Sequence, residues 1–244
     1  MTTALLITAR MTSERLPGKP VMDICGQQAL ALMLRRLKGS ADYIVVCAPD
    51  DGTSEPIEHA IPPGTATLFL GHPTDLLARL AGAAKYVRAT EVVMTGADCP
   101  LTEPGVVRVA LKAVAATLHA NVQTRGWPIG LNVQAVTTWP LYEADAEAVD
   151  PDERIYYNAF FDRRPDRFPL VTVTRPGADE YAHRVTLDTA ADLALIRQIV
   201  GELGPGCTGE EIIAWLHANP DADRTTRGGY NYHPDTSTLM AVPA

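Results

Sequence analysis

Four short apolar runs, at residues 4–7, 43–47, 66–70 and 92–95, each empty into a turn-rich loop, and helical spacing follows the first and third. Leu30, Met33, Leu34 and Leu37 share one helical face before Gly39, and Leu76, Leu77, Leu80 and Ala84 do so after Thr74. Strands that alternate with helices build a parallel sheet covered on both faces. The chain is therefore expected to be an α/β protein, a three-layer sandwich around a mostly parallel central sheet. Such sheets hold ligands outside the carboxyl ends of their strands. The loops leaving the four runs are where chemistry is to be sought.

The first of these loops is unlike the rest of the chain. It carries Arg10, Ser13, Arg15 and Lys19, and Pro17 and Gly18 keep it from continuing as a helix. The protein as a whole has 21 Lys and Arg against 29 Asp and Glu, a net charge of -8. That balance argues against a general nucleic-acid or membrane surface and makes the basic loop a local exception, suited to a small anion. Three cations and free backbone amides in one turn suit a polyphosphate. A solvated surface loop is the alternative, since Arg and Lys are usually exposed. Placement at the end of the first strand favours the ligand. The loop is not a Walker loop, because Ser13 stands where its first Gly belongs and Pro20 replaces the Mg-binding Ser or Thr.

Ala9-Arg10-Met11, Ser13 and Arg15-Leu16-Pro17-Gly18-Lys19-Pro20 together resemble the opening signature of sugar cytidylyltransferases. These are the spore-coat polysaccharide type and, more distantly, the 3-deoxy-manno-octulosonate and sialic acid enzymes. In that family the motif wraps the CTP triphosphate. The resemblance thus implies a Rossmann-like, GT-A-like nucleotidyltransferase fold, with Arg10, Ser13, Arg15, Gly18 and Lys19 at the nucleotide. The stretch from Gly71 to Arg79 is similar to a family segment that frames the nucleotide, and Asp75 within it is assigned there. His72 reads as a surface loop residue rather than a catalyst.

Asp98 stands just past the fourth run, in Gly96-Ala97-Asp98-Cys99-Pro100-Leu101. An Asp before a turn commonly bonds local backbone amides. In a parallel sheet, however, this loop and the basic loop share one edge, so Asp98 can face bound phosphates. That arrangement calls for a cation between them, and Mg²⁺ is commonly held by one or two carboxylates together with substrate phosphates. Asp188 is the second candidate, at the end of an alternating stretch over 181–187. Taken alone it reads equally well as the N-cap of the helix that follows, with Leu195, Ile196 and Ile199 on its apolar face. Both acids lie in segments that resemble family segments whose acids bind metal, which implies Asp98 and Asp188 as metal ligands. Lys19, Arg10 and Asp98 are the expected catalytic residues.

Similarity extends to Arg125-Gly126-Trp127-Pro128-Ile129-Gly130-Leu131 and to Arg227-Gly228-Gly229-Tyr230, and so spans most of the chain. Two departures fall in the acceptor half. Asn132 and Gln134 stand where the spore-coat type usually has Asp and Glu, and Asp152-Glu153-Arg154-Ile155-Tyr156 replaces Arg-Glu-His-Val-Thr. Losing two acids favours an anionic acceptor, held by Arg125, Arg154 and Arg184 with Asn132 and Gln134 in the pocket wall. The two amides also read as ordinary strand residues paired with neighbours.

One domain over 1–217 is expected, with an acceptor and dimerisation subregion near 121–170 and an arm over 218–244. Asp150-Pro151 is a helix start, and Tyr156, Tyr157, Phe160 and Phe161 read as core or interface. The resemblance implies a homodimer. Cys25, Cys47, Cys99 and Cys207 are too scattered for a zinc site or disulfide framework, and no leader or long apolar run is evident, so a cytoplasmic protein without membrane contact is expected. The sequence reads as a Mg-dependent cytidylyltransferase joining CMP to a small, anionic acceptor and releasing pyrophosphate. A GT-A-type glycosyltransferase is the alternative enzyme, although no Asp-x-Asp follows a strand. A nucleotide sensor without chemistry is the other.

Overall fold

The computed structural model describes residues 1–117, 119–177 and 183–222, and the backbone of two short strands beyond them, Tyr230–Tyr232 and Leu239–Ala241. Seven strands form the central sheet: β1 (Thr3–Thr8), β2 (Tyr43–Pro49), β3 (Thr67–Gly71), β4 (Glu91–Gly96), β5 (Asn121–Arg125), β6 (Gln134–Thr137) and β7 (Leu170–Thr174). Their order is β3-β2-β1-β4-β6-β5-β7. Only β6 runs against its neighbours, β4 and β5. The remaining pairs are parallel, so the expected α/β fold with a mostly parallel sheet is what forms.

Residues along the central strands divide between two faces, as a sheet buried on both sides requires. Leu5, Ile7 and Val93 pack on one side with α1 (Ala29–Leu37), α2 (Glu55–His59) and, past α3 (Leu76–Tyr86), with α4 (Pro104–Ala115). Ala4, Leu6, Val92 and Met94 pack on the other with α3, α5 (Thr138–Glu147) and α7 (Ala159–Asp162), which follows the single-turn α6 (Pro151–Ile155). Phe160, Phe161 and Phe168 form an edge-to-face cluster there, so two of the four expected aromatics are core. Tyr156 is instead exposed.

A third apolar cluster joins α8 (Ala190–Leu203) and α9 (Gly209–Ala218) to Leu101, Leu131, Val185 and Leu187. It seats the stretch 183–188 against the end of the sheet. That alternating stretch is extended and largely buried, and its ladder pairing with the body is an isolated bridge, Ile129 with Arg184. Tyr181, its expected start, lies outside the described residues. So do Arg227, Gly228 and Gly229 and most of the expected arm, in which Tyr230–Tyr232 pairs antiparallel with Leu239–Ala241. Among the described residues no helix is long and apolar enough to cross a membrane.

Candidate active site

Strands β1 and β4 are hydrogen-bonded neighbours in parallel register, with Thr8 opposite Gly96. The chain leaves both at the same level, and Ala97 N–H donates to the Thr8 carbonyl at 2.8 Å. The basic loop and the Asp98 loop therefore start side by side. The basic loop closes on itself where Gly18 N–H donates to the Met11 carbonyl at 2.9 Å. Gly18 takes the left-handed conformation, φ 73°, and begins the single 3-10 turn Lys19–Val21. Glycine adopts that conformation without a Cβ penalty. The turn buries Lys19 and points its ammonium into the sheet end.

Lys19 Nζ donates to Asp98 Oδ2 and to Asp188 Oδ1, each at 2.9 Å. Asp188 arrives from the far end of the sequence because the segment before it docks on this edge: Leu187 N–H donates to the Asp98 carbonyl at 2.6 Å. The same segment crosses Gly130, φ 103°, where an added Cβ would meet Thr186 N at 3.0 Å. Two acids nearly a whole domain apart in sequence thus converge on one point. Arg15, half-exposed, adds a contact to Asp188 Oδ1 at 3.4 Å.

The two readings of Asp188 are separated by its neighbours. The N-cap of α8 is Thr189, whose hydroxyl accepts from Asp192 N–H, while the Asp192 carboxylate accepts from the backbone N–H of Thr189 and Asp188, each at 2.8 Å. This reciprocal capping box leaves the Asp188 side chain free of capping duty. Asp192 is almost wholly buried and also takes Arg184 Nη1 at 2.7 Å, while Arg184 Nη2 donates to Asp188. Arg184, expected at the acceptor, lines the cavity but is committed to these two acids. Neither Asp192 nor this use of Arg184 was anticipated, although Thr189-Ala190-Ala191-Asp192 carries the spacing of a capping box.

Charge balance sets the titration of the pair. Burial alone would lower the Lys19 pKa, but Asp98 and Asp188 outweigh it and hold it above the ordinary lysine value. Burial alone would raise Asp188, but Lys19, Arg184 and Arg15 outweigh it and hold it below the ordinary carboxylate value. A depressed acid contributes stability present above its unfolded pKa, about 3.9, and lost as pH falls through the folded value. A raised lysine contributes stability present below about 10.4 and lost as pH rises through the folded value. Without divalent cations, unfolding midpoints should fall in acid and in alkali, and Lys19→Met should make the alkaline fall shallower, the remainder coming from the buried thiols Cys47 and Cys99 and the Tyr157 phenol, whose ionisation burial opposes. An unchanged alkaline arm in that variant would reject the pairing.

Gly96 has a specific reason to be glycine. A Cβ there would stand 2.1 Å from Asp98 Oδ1, so the absent side chain is the room in which the carboxylate turns toward Lys19. Gly96→Ala should displace Asp98 and lower turnover about a hundredfold, the scale of an ångström-sized misplacement, while unfolding stays cooperative. Turnover within twofold of wild type would show that Asp98 tolerates the shift.

The acids open onto a cavity of about 800 Å³ lined by Arg15, Asp98, Asp188 and, on the far wall, Asn132, Gln134 and Asp162. Asn132 Oδ1 accepts from Gly130 N–H at 3.1 Å, and Gln134 donates to Asn121, so both amides line the cavity and also have local partners. Arg10, Ser13, Arg125, Arg154 and Asp75 are not among the residues that line this cavity. Arg10 is exposed where β1 ends and Ser13 is buried in the loop. Arg125 closes β5, and its carbonyl accepts from Arg175 N–H at 2.8 Å. Arg154, expected at the acceptor, binds Asp75 through Nε at 2.7 Å and Asp145 through Nη2 at 2.9 Å. Asp75, expected at the nucleotide, caps α3 with its other oxygen, accepting from Ala78 N–H at 2.9 Å. The structure thus uses this pair to tie α3, α5 and α6 together. Arg79, which the sequence did not single out, is buried and donates to the His72 and Pro73 carbonyls, fixing the loop before α3.

The family model for cytidylyltransferases matches residues 4–199, which includes every residue of this cluster. The chain belongs to the cytidylyltransferase family. It is 24% identical over 230 residues to the spore coat polysaccharide biosynthesis protein SpsF of Bacillus subtilis, covering 89% of this chain and 95% of that one. It is 35% identical over 131 residues to a 3-deoxy-manno-octulosonate cytidylyltransferase of Chromohalobacter salexigens, about half of each chain, 52% and 50%. A cytidylyltransferase structure from Leptospira borgpetersenii superposes with a TM-score of 0.86 at 23% identity, covering 96% of this chain and 100% of that one. The latter likeness is one of fold. Family membership and fold agree with the expectation drawn from the basic loop.

Proposed function

We propose that the protein transfers CMP from CTP to a small anionic acceptor, with release of pyrophosphate. The observation that carries this reading is the convergence of Lys19, Asp98 and Asp188 at the ends of β1 and β4, beside Arg15 and open to the cavity. An acceptor oxygen would attack the α-phosphorus, the bond from that phosphorus to the bridging oxygen would break, and pyrophosphate would leave with the electron pair. Such transfer depends on positioning and charge neutralisation, so no nucleophilic side chain is needed. Arg10, Arg15 and Lys19 would neutralise the departing phosphates, and Gly18 would let the loop backbone approach them.

Mg²⁺ fits the donor set. Two carboxylates aimed at one point are what a hard, oxygen-seeking cation takes from protein when phosphates and water supply the rest. Asp98 and Asp188 would hold the ion, and it would supply Lewis-acid stabilisation of charge on the α-phosphate. Arg184 and Asp192 keep Asp188 aligned, and Lys19, on its long stem, balances the two acids until phosphates arrive. Asn132 and Gln134 in the cavity lining are neutral, which supports an anionic acceptor whose anion lies toward Lys19 and Arg15. Exposed Trp139 and Val149, on and after α5, support a homodimer through this side of a cytoplasmic enzyme.

The test is pyrophosphate release from CTP, UTP or GTP mixed with phosphates, phosphonates and acidic or neutral sugars. Release that requires CTP, an anionic acceptor and divalent cation is expected. Release with neutral sugars alone would overturn the acceptor class, and binding of CTP without release in any mixture would favour the sensor.

A further inference from the structure

Asp162, the last residue of α7, is a carboxylate on the cavity wall held by neutral groups alone among the described residues. Its Oδ1 accepts from Asn121 Nδ2 at 2.9 Å and from Gln123 Nε2 at 3.1 Å, and its Oδ2 accepts from Asn158 Nδ2 at 2.9 Å. Gln134 stands behind them, donating to the Asn121 oxygen, so the amides are oriented with their N–H groups toward the acid. Three amide donors fix a carboxylate in place without cancelling its charge. The guanidinium groups on the same wall are turned to other acids: Arg184 to Asp188 and Asp192, Arg163 to Asp150 and Glu153. A negative charge in a partly enclosed cavity is costly unless a partner meets it.

We infer that Asp162 receives a protonated amine of the acceptor, so that the acceptor is zwitterionic, an amine at one end and an anionic attacking group at the other. The inference rests on the cytidylyl-transfer reading and names the substrate class of that site. Tyr156 and Tyr157 line the same cavity, and aromatic rings near such a cation attract it. A hydroxyl would satisfy the lone pairs of Asp162 but leave its charge unmet. An anionic group would be repelled there and is directed instead toward Asp98, Asp188 and the cations beside them. The alternative is that Asp162 only anchors α7 to β5, through Asn121 and Gln123.

The probes are 2-aminoethyl phosphate and its phosphonate counterpart, each beside its N-acetylated form and the deaminated ethyl compound. With CTP and Mg²⁺, wild type should show a KM for the amino compounds at least about tenfold below that for either neutralised form, the scale of one lost charge-assisted hydrogen bond. Asp162→Asn should collapse that ratio toward one while CTP affinity, read by calorimetry, holds. Asp162→Glu should restore part of the ratio, which a purely structural anchor would not do. A wild-type ratio near one overturns the inference whether or not the variants fold. So does an Asp162→Asn protein that folds and keeps the ratio, or a wild type that binds CTP but neither binds nor uses the amino compounds. Failure of CTP itself to bind overturns the transfer reading and this inference together.

Discussion

Asp98→Asn is expected to lower pyrophosphate release on the order of a hundred- to a thousandfold, the scale at which one preorganised charged group is lost from a transition state. The substitution keeps size and shape and removes the charge that Lys19 Nζ meets at 2.9 Å. Fold should be nearly indifferent to it. The Asp98 side chain is 35% exposed, and ion pairs of that exposure contribute up to about 1 kcal/mol. Lys19 also keeps its bond to Asp188. The paired measurements are turnover and thermal unfolding of the same preparation. A rate within twofold of wild type would remove Asp98 from the machinery, and a collapse of both would mean that its role is structural.

The largest stability effect is expected one shell away, at Asp192. It is 1% exposed and takes Arg184 and two backbone N–H groups at once. Asp192→Ala takes one acid from a buried guanidinium and opens the capping box of α8. Breaking a buried pair from one side costs about 3 to 5 kcal/mol, a large share of the roughly 5 to 15 kcal/mol that holds a domain folded. Denaturant midpoints should fall accordingly with little change in slope. Asp192→Asn, which can still accept from the backbone, should lie between. A cost below about 1 kcal/mol would mean that Arg184 finds compensation elsewhere. Protein that survives should also bind nucleotide less well, because Arg184 and Asp192 orient Asp188.

The parallel sheet was legible because its runs are apolar, short and punctuated by turns, and the central strands β1, β2 and β4 are buried along nearly their whole length. The basic loop and Asp98 were legible because strand ends in such a sheet share an edge. What the residues alone left open was decided by local competition. Asp188 precedes a helix, as an N-cap would, and Thr189 with Asp192 takes that duty instead. Arg154 carried the charge an acceptor site wants, and Asp75 and Asp145 hold it in the scaffold. Such pairings join residues distant in sequence, so no spacing rule exposes them. Asp162 was invisible for the same reason: its amide partners come from β5 and from the turn before α7.

Leu187 N–H reaches the Asp98 carbonyl at 2.6 Å, so the two acids are tethered main chain to main chain rather than only through Lys19. Backbone tethers are indifferent to side-chain identity. Among the described residues, the part of the cavity wall built on residues 155–163 shares no such bond with them. A protein engineer can therefore treat the molecule as a fixed chuck with an exchangeable tool: libraries confined to that wall vary what is gripped, while the spacing between Asp98 and Asp188 is inherited unchanged by every member.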